Sequence, residues 1–159
     1  MIKILDGRAK NFDIVLDKLL SKQKSDVQLN SVSVTKIIAN DKEGLQMISA
    51  CCAGAEIKVS DIKYLRTNKV FLLSLSRDKL EIENDGKRVI SICKFEFVDS
   101  VKSKNINQEN IEQKLELITM DYLKNNDNYE ISLIFTNNAY ITLLTEIIEV
   151  TLDDQSKID

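Results

Sequence analysis

From Glu56 to Asp153 the apolar residues recur every second position, and that period constrains the fold more than any other feature of the chain. Ile57 and Val59 alternate with Lys58 and Ser60, and Tyr129, Ile131, Leu133 and Phe135 form a second alternating set. Successive side chains of a strand point to opposite faces, so each run predicts a strand with one buried side. Further strands are expected over 70–76, 80–82, 88–102, 113–123, 129–136 and 139–152. Asn84-Asp85-Gly86-Lys87 and Asn137-Asn138 are tight-turn sequences, because their residues tolerate positive φ. Asn125 to Asn128 predicts a looser turn, residues 103–112 a polar surface loop, and a change of phase near Cys93 a bulge or bend.

Before Glu56 the period is helical. Phe12, Val15, Leu16, Leu19 and Leu20 fall on one stripe, with Asn11 as N-cap and Asp13, Asp17 and Lys18 largely off it. Residues 21–30 form a polar connector. A second helix is expected over 31–39, with Val34, Ile37 and Ile38 on its apolar side. A third opens on a capping box of Asn40 and Glu43, carries Leu45, Ile48 and Cys52 on one face, and stops at Gly54. The expected fold class is α+β, with N-terminal helices followed by a curved antiparallel β-sheet or barrel-like roll. Residues 1–40 read as a helical arm, 41–153 as an α+β domain of antiparallel strands and 154–159 as a polar tail.

Composition removes several function classes. The 159 residues include no histidine, proline or tryptophan. Without histidine there is no imidazole base, no Ser-His or Cys-His pair and no imidazole metal ligand. The four glycines build no phosphate-binding loop. Residues 1–40 carry seven basic and four acidic groups, and the remainder fifteen and twenty-one, so the body is acidic. An acidic body is a poor counterpart for phosphate backbones, so no nucleic-acid partner is expected. No run approaches the roughly 20 apolar residues that cross a bilayer, so no membrane association and a cytoplasmic location are expected. An odd count of three cysteines, two of them adjacent, suits a reducing compartment.

The remaining reactive candidates have simpler readings. Cys51 and Cys52 sit near the C-terminal end of a predicted helix, where the dipole raises a thiol pKa, so they read as small core residues, as does Cys93 mid-strand. Asp99 and Glu149 with their neighbours could face each other as a carboxylate pair, but most acidic residues fit strand outer faces and turns, so a solvated surface is the favoured reading. Phe71, Phe95, Phe97, Phe135 and Tyr129 alternate along strands and read as core or interface. Phe95 to Asp99 also resembles Thr145 to Glu149, a hint of internal duplication that two unrelated amphipathic strands would show equally.

Two resemblances bear on the fold. The helix ending in small residues, then Ile57-Lys58-Val59-Ser60-Asp61-Ile62-Lys63-Tyr64-Leu65, Val70-Phe71-Leu72-Leu73-Ser74-Leu75, Phe95-Glu96-Phe97-Val98, Leu115-Glu116-Leu117-Ile118 and Ile147-Ile148-Glu149-Val150-Thr151-Leu152 resemble a bacterial family catalogued as domain of unknown function 2948. The likeness spans about residues 41–153 and implies no known activity. Where that family carries a Ser-Arg-Gly-Ile-like turn, this chain has Ser103-Lys104-Asn105-Ile106, without the glycine. Residues 2–43, through Ile4-Leu5-Asp6, Phe12-Asp13, Leu19-Leu20 and Val34 to Asn40, are similar to the N-terminal helical segment of histidinol dehydrogenases. Those enzymes need histidines and zinc further along a far longer chain, so that likeness implies a helical arm without the enzyme.

The leading expectation is a non-catalytic protein-interaction or self-associating protein, with Phe12, Val15, Leu16, Leu19 and Leu20 as its interaction face. No catalytic residue, metal or cofactor is expected. The alternative is a small-molecule or lipid-binding β-roll, whose mark would be a large apolar cavity in its mouth. An enzyme using carboxylates or a lysine ranks third.

Overall fold

The structure is a computed structural model and describes residues 36–78 and 88–155. These form ten strands: β1 (Lys36–Ala39), β2 (Glu56–Lys58), β3 (Ile62–Leu65), β4 (Val70–Asp78), β5 (Arg88–Phe95), β6 (Val98–Lys104), β7 (Lys114–Asn125), β8 (Asn128–Phe135), β9 (Tyr140–Thr145) and β10 (Val150–Asp154). Helix α1 (Lys42–Cys52) lies between β1 and β2, and a 3-10 turn (Val59–Asp61) links β2 to β3. All strands join one antiparallel sheet in the order β1-β10-β5-β4-β2-β7-β8-β9-β6, with β3 beside β4. The sheet is open, with β1 and β6 at its ends.

This overturns the expected N-terminal helices followed by a sheet that might close. Among the described residues α1 is the one α-helix, and the segment read as a second helix, around Ile37 and Ile38, is the edge strand β1. A short apolar run fits both periods, and here pairing with β10 decides, aided by two β-branched isoleucines suited to a strand. The Phe12–Leu20 stripe and the Asp85-Gly86 turn lie outside the described residues, although β4 and β5 pair from Asp78↔Arg88 inward.

Helix α1 begins one residue later than the proposed capping box. Asp41 is the N-cap, and its carboxylate accepts the Gly44 N–H at 2.8 Å. Gly44 also lets the helix lie close to β1, since a Cβ there would stand 2.9 Å from the Ala39 Cα. Gly54 ends the helix at φ +82°, as read from sequence. The long strand expected over 88–102 breaks at Phe97, which takes φ +59°, into β5 and β6. The strand expected over 139–152 breaks likewise into β9 and β10. Asn137 and Asn138 both have positive φ, as a tight hairpin turn requires. Asn105 takes φ +61°, so asparagine holds a left-handed turn there.

The concave side holds a continuous core in which Phe71, Leu73, Phe95, Leu117, Leu133, Phe135, Ile141 and Leu152 meet Leu45, Ile48 and Cys52 of α1. Arg77 is fully buried within it. Its guanidinium donates to Asp154 Oδ1 (2.9 Å) and Ser91 Oγ (3.0 Å), and Ser91 Oγ donates to the same carboxylate oxygen at 2.6 Å. Arg77 Nη1 also reaches the Cys51 carbonyl at 3.5 Å, a cation at the C-terminal end of α1. One side chain thus ties β4, β5, β10 and α1 together.

The two halves of the sheet differ on their convex side. In β8 and β9 buried core residues alternate with half-buried ones, so the outer face meets solvent. In β3, β4, β5 and β10 both faces are buried over most of their length.

Candidate functional site

A cleft runs between α1 and β7. Strand β7 pairs with β8 from Leu117 to Asn125, and with β2 over residues 114–116. A bulge between Leu117 and Thr119 then shifts the register. Asn125 faces Asn128 across the hairpin turn, so by antiparallel alternation the main-chain groups of Met120, Tyr122 and Lys124 point away from β8. Where α1 passes, Ser49 Oγ accepts the Met120 N–H at 2.9 Å and lies 3.1 Å from Thr119 Oγ1. The Tyr122 N–H is held by the neighbouring Asp121 carboxylate at 2.8 Å. The Leu117 N–H donates to the Ala55 carbonyl at 2.9 Å and its carbonyl accepts the Gly54 N–H at 2.8 Å, and beyond Leu117 no described strand flanks β7 on this side. Ala50, Ala53 and Gln46 form the helical wall and Ile118 to Tyr122 the other, enclosing a groove of about 520 Å³. Ile118 is half exposed beside it.

Sequence periodicity could not reveal this groove. It depends on β2 being only three residues long, so that β7 outruns its neighbour. The length of the apolar alternation from Leu115 to Tyr122, set against the short Glu56–Lys58 run, is the one signal in the chain that could have pointed to it.

A smaller cleft of about 160 Å³ lies on the convex side and is lined by Lys36, Ile38, Lys94, Glu96, Glu149, Thr151 and Asp153. Register places Glu149 beside Glu96, whose N–H donates to the Glu149 carbonyl at 3.0 Å. Lys94 Nζ stands 3.7 Å from Glu96 Oε2. Burial lowers the Lys94 ammonium below its ordinary value, while Glu96 and Glu149 oppose that shift and Lys36 adds to it. Burial raises the Glu149 carboxyl, and the hydrogen bond and like charge of Glu96 raise it further, against the pull of Lys94.

A carboxyl that binds its proton more readily folded than unfolded favours the fold as pH falls and penalises it as pH rises past the folded-state value. Glu149→Gln should therefore stabilise the protein by about 0.2–1 kcal/mol at neutral pH, the scale of a solvent-screened charge contact. The advantage should shrink as pH drops toward 4.5, the ordinary value for glutamate. Urea unfolding of both proteins across that range would check it. A variant less stable than the parent at pH 7 would show that the pair does not repel.

The candidate pair of Asp99 with Glu149 is not formed as such. Asp99 and Glu146 are instead bridged by Lys69, at 3.1 and 2.9 Å. The segments that resemble each other, Phe95–Asp99 and Thr145–Glu149, run side by side: Val98 pairs with Thr145, and the Glu146 N–H donates to the Phe97 carbonyl. Cys51, Cys52 and Cys93 are buried and not in disulfides. Burial pushes the Cys93 thiol well above its usual value, with Cys52 adding to the shift and Arg77 opposing it, so it is not a thiolate near neutrality. Phe71, Phe95 and Phe135 are core residues, whereas Phe97 is partly exposed. Among the described residues no group of three or more Cys, Asp or Glu is placed to hold a metal ion. No helix among them is long and apolar enough to cross a membrane. The proposed interaction face, Phe12, Val15, Leu16, Leu19 and Leu20, lies outside the described residues.

A sequence profile described as "Protein of unknown function (DUF2948)" matches residues 35–159, beyond the 41–153 read from the residues at both ends. Among curated proteins, the histidinol dehydrogenase of Pelagibacter ubique (strain HTCC1062) is 67% identical over 43 residues, 27% of this chain. The chain thus spans about a tenth of the length of that enzyme, 10% of it being covered. No solved structure matches the chain.

Proposed function

The chain belongs to the DUF2948 family of proteins of unknown function, and from that premise we propose that its folded body is a non-catalytic interaction module that takes an extended segment of a protein partner along β7. The observation that carries this reading is the edge of β7 left without a neighbouring strand beyond Leu117, whose main chain still pairs with Gly54 and Ala55, and walled by α1. An added strand gains affinity from main-chain hydrogen bonds and specificity from pockets for alternate side chains. The Tyr122 carbonyl and the Lys124 main chain supply the outward groups, and the small Ala50 and Ala53 leave room for side chains of the incoming segment. A groove of about 520 Å³ suits a few residues of peptide. The Ser49 and Asp121 contacts cap two outward N–H groups while the groove is empty, which restrains indiscriminate edge pairing. The sealed Arg77 network and buried thiols fit a structural use of the chain's strongest polar groups better than a catalytic one.

The test is selection of a displayed random-peptide library on the full chain, followed by titration of the enriched peptides. Ala50→Arg fills the groove from an exposed helical position, and should weaken binding at least tenfold without changing the thermal midpoint. Failure to enrich any peptide, or peptides that bind the Ala50→Arg protein as tightly as the parent, would refute the groove as the site.

A further inference from the structure

The convex face of β3, β4, β5 and β10 is buried twice over. Cross-strand register places Ile38, Thr151, Lys94, Leu72 and Lys63 in one row, and Lys36, Asp153, Ile92 and Ser74 in the next. These side chains alternate with Phe71, Leu73, Cys93, Phe95, Val150 and Leu152, which point into the core. Leu72, Ile92 and Val70 are 0, 1 and 7% exposed, yet do not belong to the core cluster. Lys63, Lys94 and Asp153 on the same face are buried as well. Ile38 on β1 and Ile90 toward the hairpin tip remain exposed, so the covered area ends at those positions. The helix and the second half of the sheet pack on the core side. Something other than a described element therefore excludes water from this face.

We infer that the occupant is the chain's own segment Phe12–Leu20. It holds five large apolar residues, Phe12, Val15, Leu16, Leu19 and Leu20, which need burial. Asp13 and Asp17 bring carboxylates beside them, opposite in sign to Lys63 and Lys94. The chain reaches the described residues at Lys36, on the strand that borders this face. The residues between Leu20 and Lys36 can span on the order of 50 Å when extended, at about 3.3 Å each. Crossing from β1 to β4 covers only three strand spacings of about 4.8 Å. The inference does not depend on the groove along β7, which lies elsewhere on the sheet. It also gives the apolar stripe an intramolecular partner.

The experiment is paramagnetic NMR on the full chain carrying Lys18→Cys with a nitroxide label; the native cysteines are buried and escape labelling. Amide signals of Leu72, Ile92, Lys94 and Thr151 should be lost, while those of Tyr122 and Ile118 persist. In a mixture of nitroxide-labelled chain at natural isotope abundance with nitrogen-15-labelled chain free of nitroxide, no loss should occur. Adding Leu16→Asp should restore the lost signals. Loss that appears in the mixture as well would assign the face to a second copy and overturn the inference. Loss at Tyr122, or no loss anywhere in the sheet, would overturn it too.

Discussion

Asp154→Ala should destabilise the protein by about 3–5 kcal/mol, the range for removing one partner of a buried ion pair. The cost arises less from the lost attraction than from what remains. Arg77 would keep its charge at 0% exposure, with its 2.9 Å contact to Asp154 gone. Ser91 Oγ would lose the acceptor it meets at 2.6 Å. Because Arg77 contacts β5, β10 and the last carbonyls of α1, the damage should spread across four elements rather than loosen one strand. Urea unfolding monitored by circular dichroism would measure the shift in midpoint. The double variant Arg77→Met with Asp154→Leu removes both charges and should recover most of the loss, since apolar replacements of buried pairs are often neutral or stabilising. A single variant that unfolds like the parent would show that the network carries no net stability.

Leu133→Ala should cost about 2–5 kcal/mol, combining lost apolar transfer with the cavity left behind. Leu133 is fully buried at the centre of β8, between Met120 of β7 and Ile141 of β9. Strands on both sides hold its backbone, so the surroundings cannot easily collapse into the gap. The same unfolding measurement reads it. A value near zero would mean that β8 does not line the core.

The two replacements probe opposite kinds of legibility. Leu133 was readable from alternation alone, because a strand with one solvated face must place every second residue inward. Arg77 was not. It follows Ser74, Leu75 and Ser76 in a strand, and nothing local says whether its charge faces water or meets Asp154, 77 residues away. Cys51, Cys52 and Cys93 fall where their residue type and position indicated, in the core. The strand at Lys36–Ala39 was misread as helix, because four residues carry too few periods to separate the two patterns and the partner that decides between them, β10, lies at the other end of the chain.

The sequence by itself determined most of the strands after Glu56, their inward residues, the stop at Gly54 and the tight turn at Asn137-Asn138. Each depends on local backbone sterics or on a period of two, which neighbours along the chain are enough to express. Residues 70–76 read as a strand from the sequence, and their burial on both faces over Val70-Phe71-Leu72-Leu73, unlike the alternating β8 and β9, came from the structure. Only the tertiary structure decided that β1 closes one edge, that β7 outreaches β2 to leave a groove beside α1, that Glu96 stands against Glu149, and that Arg77 meets Asp154. Those features depend on the relative lengths and registers of strands far apart in sequence, and a local pattern holds no information about either.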